Sequence, residues 1–74
     1  MDFITVKSIG GSTWSFRKDR IEMVSERFKF KENTMEHIPE LRGRSSCAII
    51  KLIGNDQEYY CNDSYKSIME LLKE

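Results

Sequence analysis

From Cys47 to Ile53 the chain reads Cys-Ala-Ile-Ile-Lys-Leu-Ile, and Lys51 is its only polar position. In an extended conformation Ala48, Ile50 and Leu52 face one side, while Cys47, Ile49 and Ile53 face the other. A short, nearly continuous apolar run rich in β-branched residues predicts a strand covered on both faces, and it is too short for a buried helix. It is expected to be the central strand of a small sheet.

Elsewhere the pattern is simpler. Phe3–Lys7 alternates, with Ile4 and Val6 inward, and Ser12–Arg17 alternates again with Trp14 and Phe16 on one face. Gly10-Gly11 between them supplies positive φ angles for a tight turn, so the N-terminal stretch predicts a β-hairpin. From Ile21 to Lys31 apolar residues recur, but their phase changes between Met23 and Val24, which predicts a long third strand with a bulge or bend. Along its second half Arg27, Lys29 and Lys31 alternate with Phe28 and Phe30, giving one basic and one aromatic face.

Residues 32–46 have neither periodicity and read as a long irregular loop, in which Thr34–His37 can form one helical turn before Ile38-Pro39. Gly54-Asn55-Asp56 is a turn signal, and Gln57–Cys61 returns as a partner strand. With the turn centred on Asn55-Asp56, Cys61 lies near Ile50 and Cys47 near Ser64. The two sulfurs then do not face each other, and both cysteines read as buried reduced thiols. Tyr59 and Tyr60 fall on opposite faces, one ring in the core and the other at the surface or a subunit contact. After Asn62-Asp63-Ser64, all good N-caps, Tyr65, Ile68, Met69 and Leu72 recur at helical spacing and predict an amphipathic C-terminal helix.

The expected fold is therefore α+β: a small antiparallel sheet of about five strands with a C-terminal helix, in a single domain spanning the 74 residues. A core of this size is marginal on its own, which makes a homo-oligomer the expected state. Twelve basic residues balance twelve acidic ones, which disfavours a protein built to coat duplex nucleic acid. Met1-Asp2-Phe3 places an acid where a signal peptide has basic residues, and no apolar run approaches the roughly 18 residues of a membrane helix. A cytoplasmic location without membrane contact is expected.

Catalysis is the poorest fit. His37 is the one histidine, and no nucleophile motif surrounds Cys47, Cys61 or any serine. Metal binding fits no better, because His37 and the cysteines lack the short paired spacing of zinc ligands. No catalytic residue, metal ligand or cofactor is assigned. The suggestive residues are basic and aromatic. In Arg42-Gly43-Arg44-Ser45 the arginines can grip an anion bidentately, glycine lets backbone amides approach it, and the serine adds a donor. Lys29 comes from the preceding strand, and Trp14 or Phe28 offers a stacking surface. The same side chains also suit a solvated hairpin balanced by Glu32, Glu36 and Glu40.

The order of elements resembles the small FlbD-like proteins. Ile4, Val6, the Gly10-Gly11 turn, Phe16, Ile21, Val24, Ile50, Leu52, Tyr60 and the Asp63-Ser64-Tyr65 helix start carry that resemblance. The stretch from Arg27 to Arg44 departs from the family, which joins the matching strands more tightly. By analogy of size and economy alone, small phage proteins that sequester host signalling nucleotides are also similar. Two functions are expected from these readings. One is a non-enzymatic module that captures a phosphate-bearing small ligand such as a nucleotide at a subunit interface, as a sponge or sensor, through Arg42, Gly43, Arg44, Ser45, Lys29, Trp14 and Phe28. The other, implied by the resemblance, is a protein-interaction adaptor that uses the 32–46 loop.

Overall fold

A computed structural model describes residues 2–74. Five antiparallel strands form two sheets, followed by a C-terminal helix. Strands β1 (Phe3–Lys7) and β2 (Thr13–Arg17) make the N-terminal hairpin, in register from Phe3↔Arg17 to Lys7↔Thr13. Its turn is held by Ser8, whose amide donates to Ser12 O at 2.7 Å and whose Oγ accepts from the Ser12 amide at 2.9 Å. Only Gly11 takes a positive φ, +95°, so Gly10 does not share the conformational role expected for the pair.

The second sheet has the order β3-β4-β5, with β3 at Ile21–Arg27, β4 at Cys47–Leu52 and β5 at Glu58–Cys61. The run Cys47–Leu52 is thus the central strand of this sheet, as its two-sided apolarity predicts. Ala48 and Ile50 pack with Ile4, Val6, Phe16, Cys61 and Ile68, whereas Cys47 and Ile49 pack with Leu41 and Tyr60 on the opposite face. The single five-stranded sheet expected from sequence is therefore two sheets, which share the first core and whose backbones join where β1 runs past β5. There the Ile9 amide donates to Tyr60 O and the Asn62 amide to Lys7 O, beside a lone bridge between Ser8 and Cys61.

Two registers differ from expectation. The ladder shifts between Ile21 and Met23, one step ahead of the Met23–Val24 phase change in the sequence, and β3 stops at Arg27 instead of Lys31. Arg27 pairs with Cys47, the first residue of β4, so the chain beyond it has no ladder partner. Cys61 pairs with Ala48, not Ile50, because Gly54 (φ +74°) and Asn55 turn the chain earlier than Asn55-Asp56 would. The cysteines are free and buried, Cys47 on one face of the sheet and Cys61 on the other.

The 32–46 segment is not an irregular loop. It contains helix α1 (Glu32–His37) and a 3-10 turn (Pro39–Leu41) that buries Leu41 completely. With Phe30, Met35 and Ile38 packed around it, Leu41 fastens this lid over the second face of the sheet. Both tyrosines join cores: Tyr59 stacks edge-on against Trp14 and Phe16, and Tyr60 is buried under the lid. Helix α2 (Tyr65–Lys73) starts at Ser64, whose Oγ accepts from the Ser67 amide at 3.1 Å, and inserts Ile68 into the first core. No described helix is long and apolar enough to cross a membrane.

Candidate functional site

The lid does not cover the whole second face. Between its first residues and the sheet lies a groove of about 600 Å³, lined by Arg27, Lys29, Lys31, Asn33, Thr34 and Glu58. Arg27 is the last residue of β3, and Lys29 and Lys31 follow it at alternate positions. The sequence alternation therefore still sends these side chains to one side, although the strand has ended. Phe30, between them, goes into the second core, and Phe28 is left 65% exposed.

Glu58 enters the groove from β5, the strand on the far side of β4. Arg27 Nη2 donates to Glu58 Oε2 at 2.7 Å, so an ion pair bridges the two outer strands over the central one. Tyr60 completes the network: its hydroxyl accepts from Arg27 Nη1 at 3.2 Å and donates to Glu58 Oε1 at 3.1 Å. The hydrogen bond from Arg27 holds the Glu58 carboxyl below the usual carboxylate range, and Lys51 adds to this. The same bond raises Arg27, while burial first, and then the charge of Glu58, pushes the Tyr60 hydroxyl up. Glu58 thus stays ionised and fixes one guanidinium at the groove wall. The described residues form one other ion pair, Arg17–Asp19, so neither Lys29 nor Lys31 is neutralised by a carboxylate. The groove carries more positive than negative charge, and Asn33 and Thr34 complete its lining.

A second groove of about 280 Å³ adjoins the first and shares Glu58 with it. The turn Ser8–Gly10, Trp14, Tyr60 and the lid residues Ile38 and Glu40 complete its lining.

Of the residues singled out from sequence, Lys29 lines the basic groove and Trp14 the adjoining one. Phe28 is exposed beside the groove but does not line it. Arg42, Gly43, Arg44 and Ser45 do not line the groove with Lys29, which corrects the expectation of one site shared by these residues. Burial of Leu41 turns the chain away first. Arg44 then donates from Nη1 to Asn62 Oδ1 at 2.7 Å and from Nε to Ser46 O at 3.2 Å, so its guanidinium serves the backbone exit into β4. Gly43 has φ +81° within the turn closed by the Arg44 amide on Leu41 O, and this conformation accounts for the glycine. Arg42 and Ser45 are exposed. Of the groove's lining, the candidate set from sequence holds Lys29 alone; Arg27 and Lys31 are signalled by their alternation with it, whereas Asn33, Thr34 and Glu58 carry no signal in sequence.

No family model, curated protein or solved structure matches the chain.

Proposed function

We propose that this protein is a non-enzymatic binding module that captures a phosphate-bearing small molecule, of which a nucleotide is the type intended, in the groove of Arg27, Lys29 and Lys31. The observation that supports this reading is the convergence of three cationic side chains on one concave space, two of them with no carboxylate partner. Its volume lies in the range of roughly 300–1,000 Å³ usual for small-ligand sites. Arg27, held in place by Glu58 and Tyr60, offers a preorganised donor, and the two lysines supply mobile point charges. Capture without turnover makes the protein a sponge or sensor. Self-association belongs to the same proposal: β3 keeps one sheet edge unpaired and exposes Met23, and sedimentation at micromolar concentration tests it.

The test is calorimetric titration of pyrophosphate into the wild type and into a Lys29→Ala, Lys31→Ala double variant. Both lysines are exposed, so the fold tolerates their removal. Binding that weakens at least tenfold in the double variant, and not in Arg44→Ala, supports the reading. Binding that is absent in the wild type, or unchanged in the double variant, contradicts it.

A second reading, a protein-interaction adaptor of FlbD-like type, draws on the exposed ring of Phe28 where the chain enters the lid. A Phe28→Ser variant that loses a defined protein partner while still binding pyrophosphate would favour it.

A further inference from the structure

The second groove differs in chemistry from the first. Ile9, Ile38, Trp14 and Tyr60 are among its lining residues, a set suited to a flat, largely apolar body. At its rim sits Glu40. Its Oε2 lies 3.7 Å from the position a Cβ on Gly10 would take, so the carboxylate leans over the turn where a glycine leaves the space open. Glu40 forms neither of the two ion pairs of the described residues. Glu40 is exposed at the rim, and the groove's other carboxylate, Glu58, is already paired with Arg27, so Glu40 is the carboxylate left to accept from a ligand that presents hydrogen-bond donors. Because Glu58 walls both grooves, a phosphate in the basic groove and a flat ring in the apolar one can belong to one molecule.

We propose that the groove of Ile9, Trp14, Ile38 and Glu40 is a base subsite selective for guanine. Guanine presents N1–H and the N2 amino group side by side, two donors that match the two oxygens of one carboxylate. Adenine presents a donor beside an acceptor on the corresponding edge, and the acceptor faces the second oxygen unfavourably. The choice of base is thus made by one unfavourable pairing as much as by one good one. Trp14 supplies the ring contact and Glu40 reads the edge. This inference rests on the phosphate-groove reading only in joining the two halves of the ligand.

The experiment compares GMP, AMP, ribose 5-phosphate and guanosine by calorimetry, on the wild type and on Glu40→Gln. The expected result is GMP bound about tenfold or more tightly than AMP, a bidentate pair being worth at least that. Glu40→Gln should remove this preference and leave ribose 5-phosphate binding unchanged, because Glu40 does not line the basic groove. Ribose 5-phosphate, GMP and AMP binding alike overturns the base subsite while the phosphate reading stands. Guanosine binding with no response to ribose 5-phosphate overturns the phosphate reading while the base subsite stands. Preference for AMP, or a GMP preference that survives Glu40→Gln, overturns the role given to Glu40, and no binding by any of the four overturns both.

Discussion

Arg27 and Glu58 lie 31 residues apart on the two outer strands of one sheet, and their side chains meet at 2.7 Å over the central strand. Each is about two-fifths exposed, at 40% and 39%, so solvent screens the pair and its contribution to stability is about 0.2–1 kcal/mol. Its main effect is positional, holding a guanidinium at the wall of the basic groove.

The pair gives a pH dependence of known sign. The Glu58 carboxyl is held below its usual value, so the stability it adds is complete above the unfolded value, about 4.3 for a glutamate. That contribution is lost as pH falls through the lower folded value. Glu58→Gln should therefore unfold at lower urea concentration than wild type at pH 7, and the gap should narrow as pH falls below the unfolded value and through the folded one. A gap that stays equal over that range would show that the charge is not what stabilises.

Leu41 makes the lid a structural unit. Leu41→Ala removes a fully buried side chain, at a cost of about 2–5 kcal/mol. Its contacts lie on the second face of the sheet, so the loss should be felt first in the lid. Native-state hydrogen exchange should show α1 amides exchanging much faster, with the Ile50 amide retaining most of its protection. Uniform loss of protection would mean that the lid and the sheet unfold together.

The elements whose burial follows from local spacing were legible in the chain. Ile4 with Val6, the two-sided run of β4 and the Tyr65–Leu72 stripe each obey a single period, and each forms the element that period predicts. The lid was not legible. Its anchor, Leu41, stands alone between Glu40 and Arg42, and only the distant face formed by Cys47, Ile49 and Tyr60 makes it a core residue. The site divides in the same way. Alternation showed Arg27, Lys29 and Lys31 on one side, but Glu58 joins them through a register that no local pattern reveals. Arg42 and Arg44 were misplaced because nothing near them in sequence signals that Asn62 would take the Arg44 guanidinium.

The β1–β2 turn separates two glycines that look equivalent in sequence. At Gly11, φ +95° makes any side chain strained, and Gly11→Ala should cost about 1–2 kcal/mol. At Gly10 a methyl group meets Glu40 Oε2 at 3.7 Å and Ser8 Oγ at 3.8 Å, ordinary contacts, so Gly10→Ala should leave the thermal midpoint nearly unchanged. Equal losses in the two variants would contradict the turn geometry.

The cysteines should be inert in the folded state. Burial raises both thiols, Cys61 to about 12, and the sheet stands between them. Iodoacetamide at pH 8 should modify neither residue without denaturant and both in urea. Rapid labelling of the native protein would show that one face of the sheet opens.

The most direct test of the basic groove is a titration of isotopically labelled protein with ribose 5-phosphate, followed by amide and arginine Nε–H resonances. A phosphate site in this groove predicts shifts concentrated at Lys29, Lys31, Asn33, Thr34 and the Arg27 side chain, with the Arg42–Ser45 amides unmoved. Shifts centred on Arg42–Ser45, or none at saturating ligand, would contradict it.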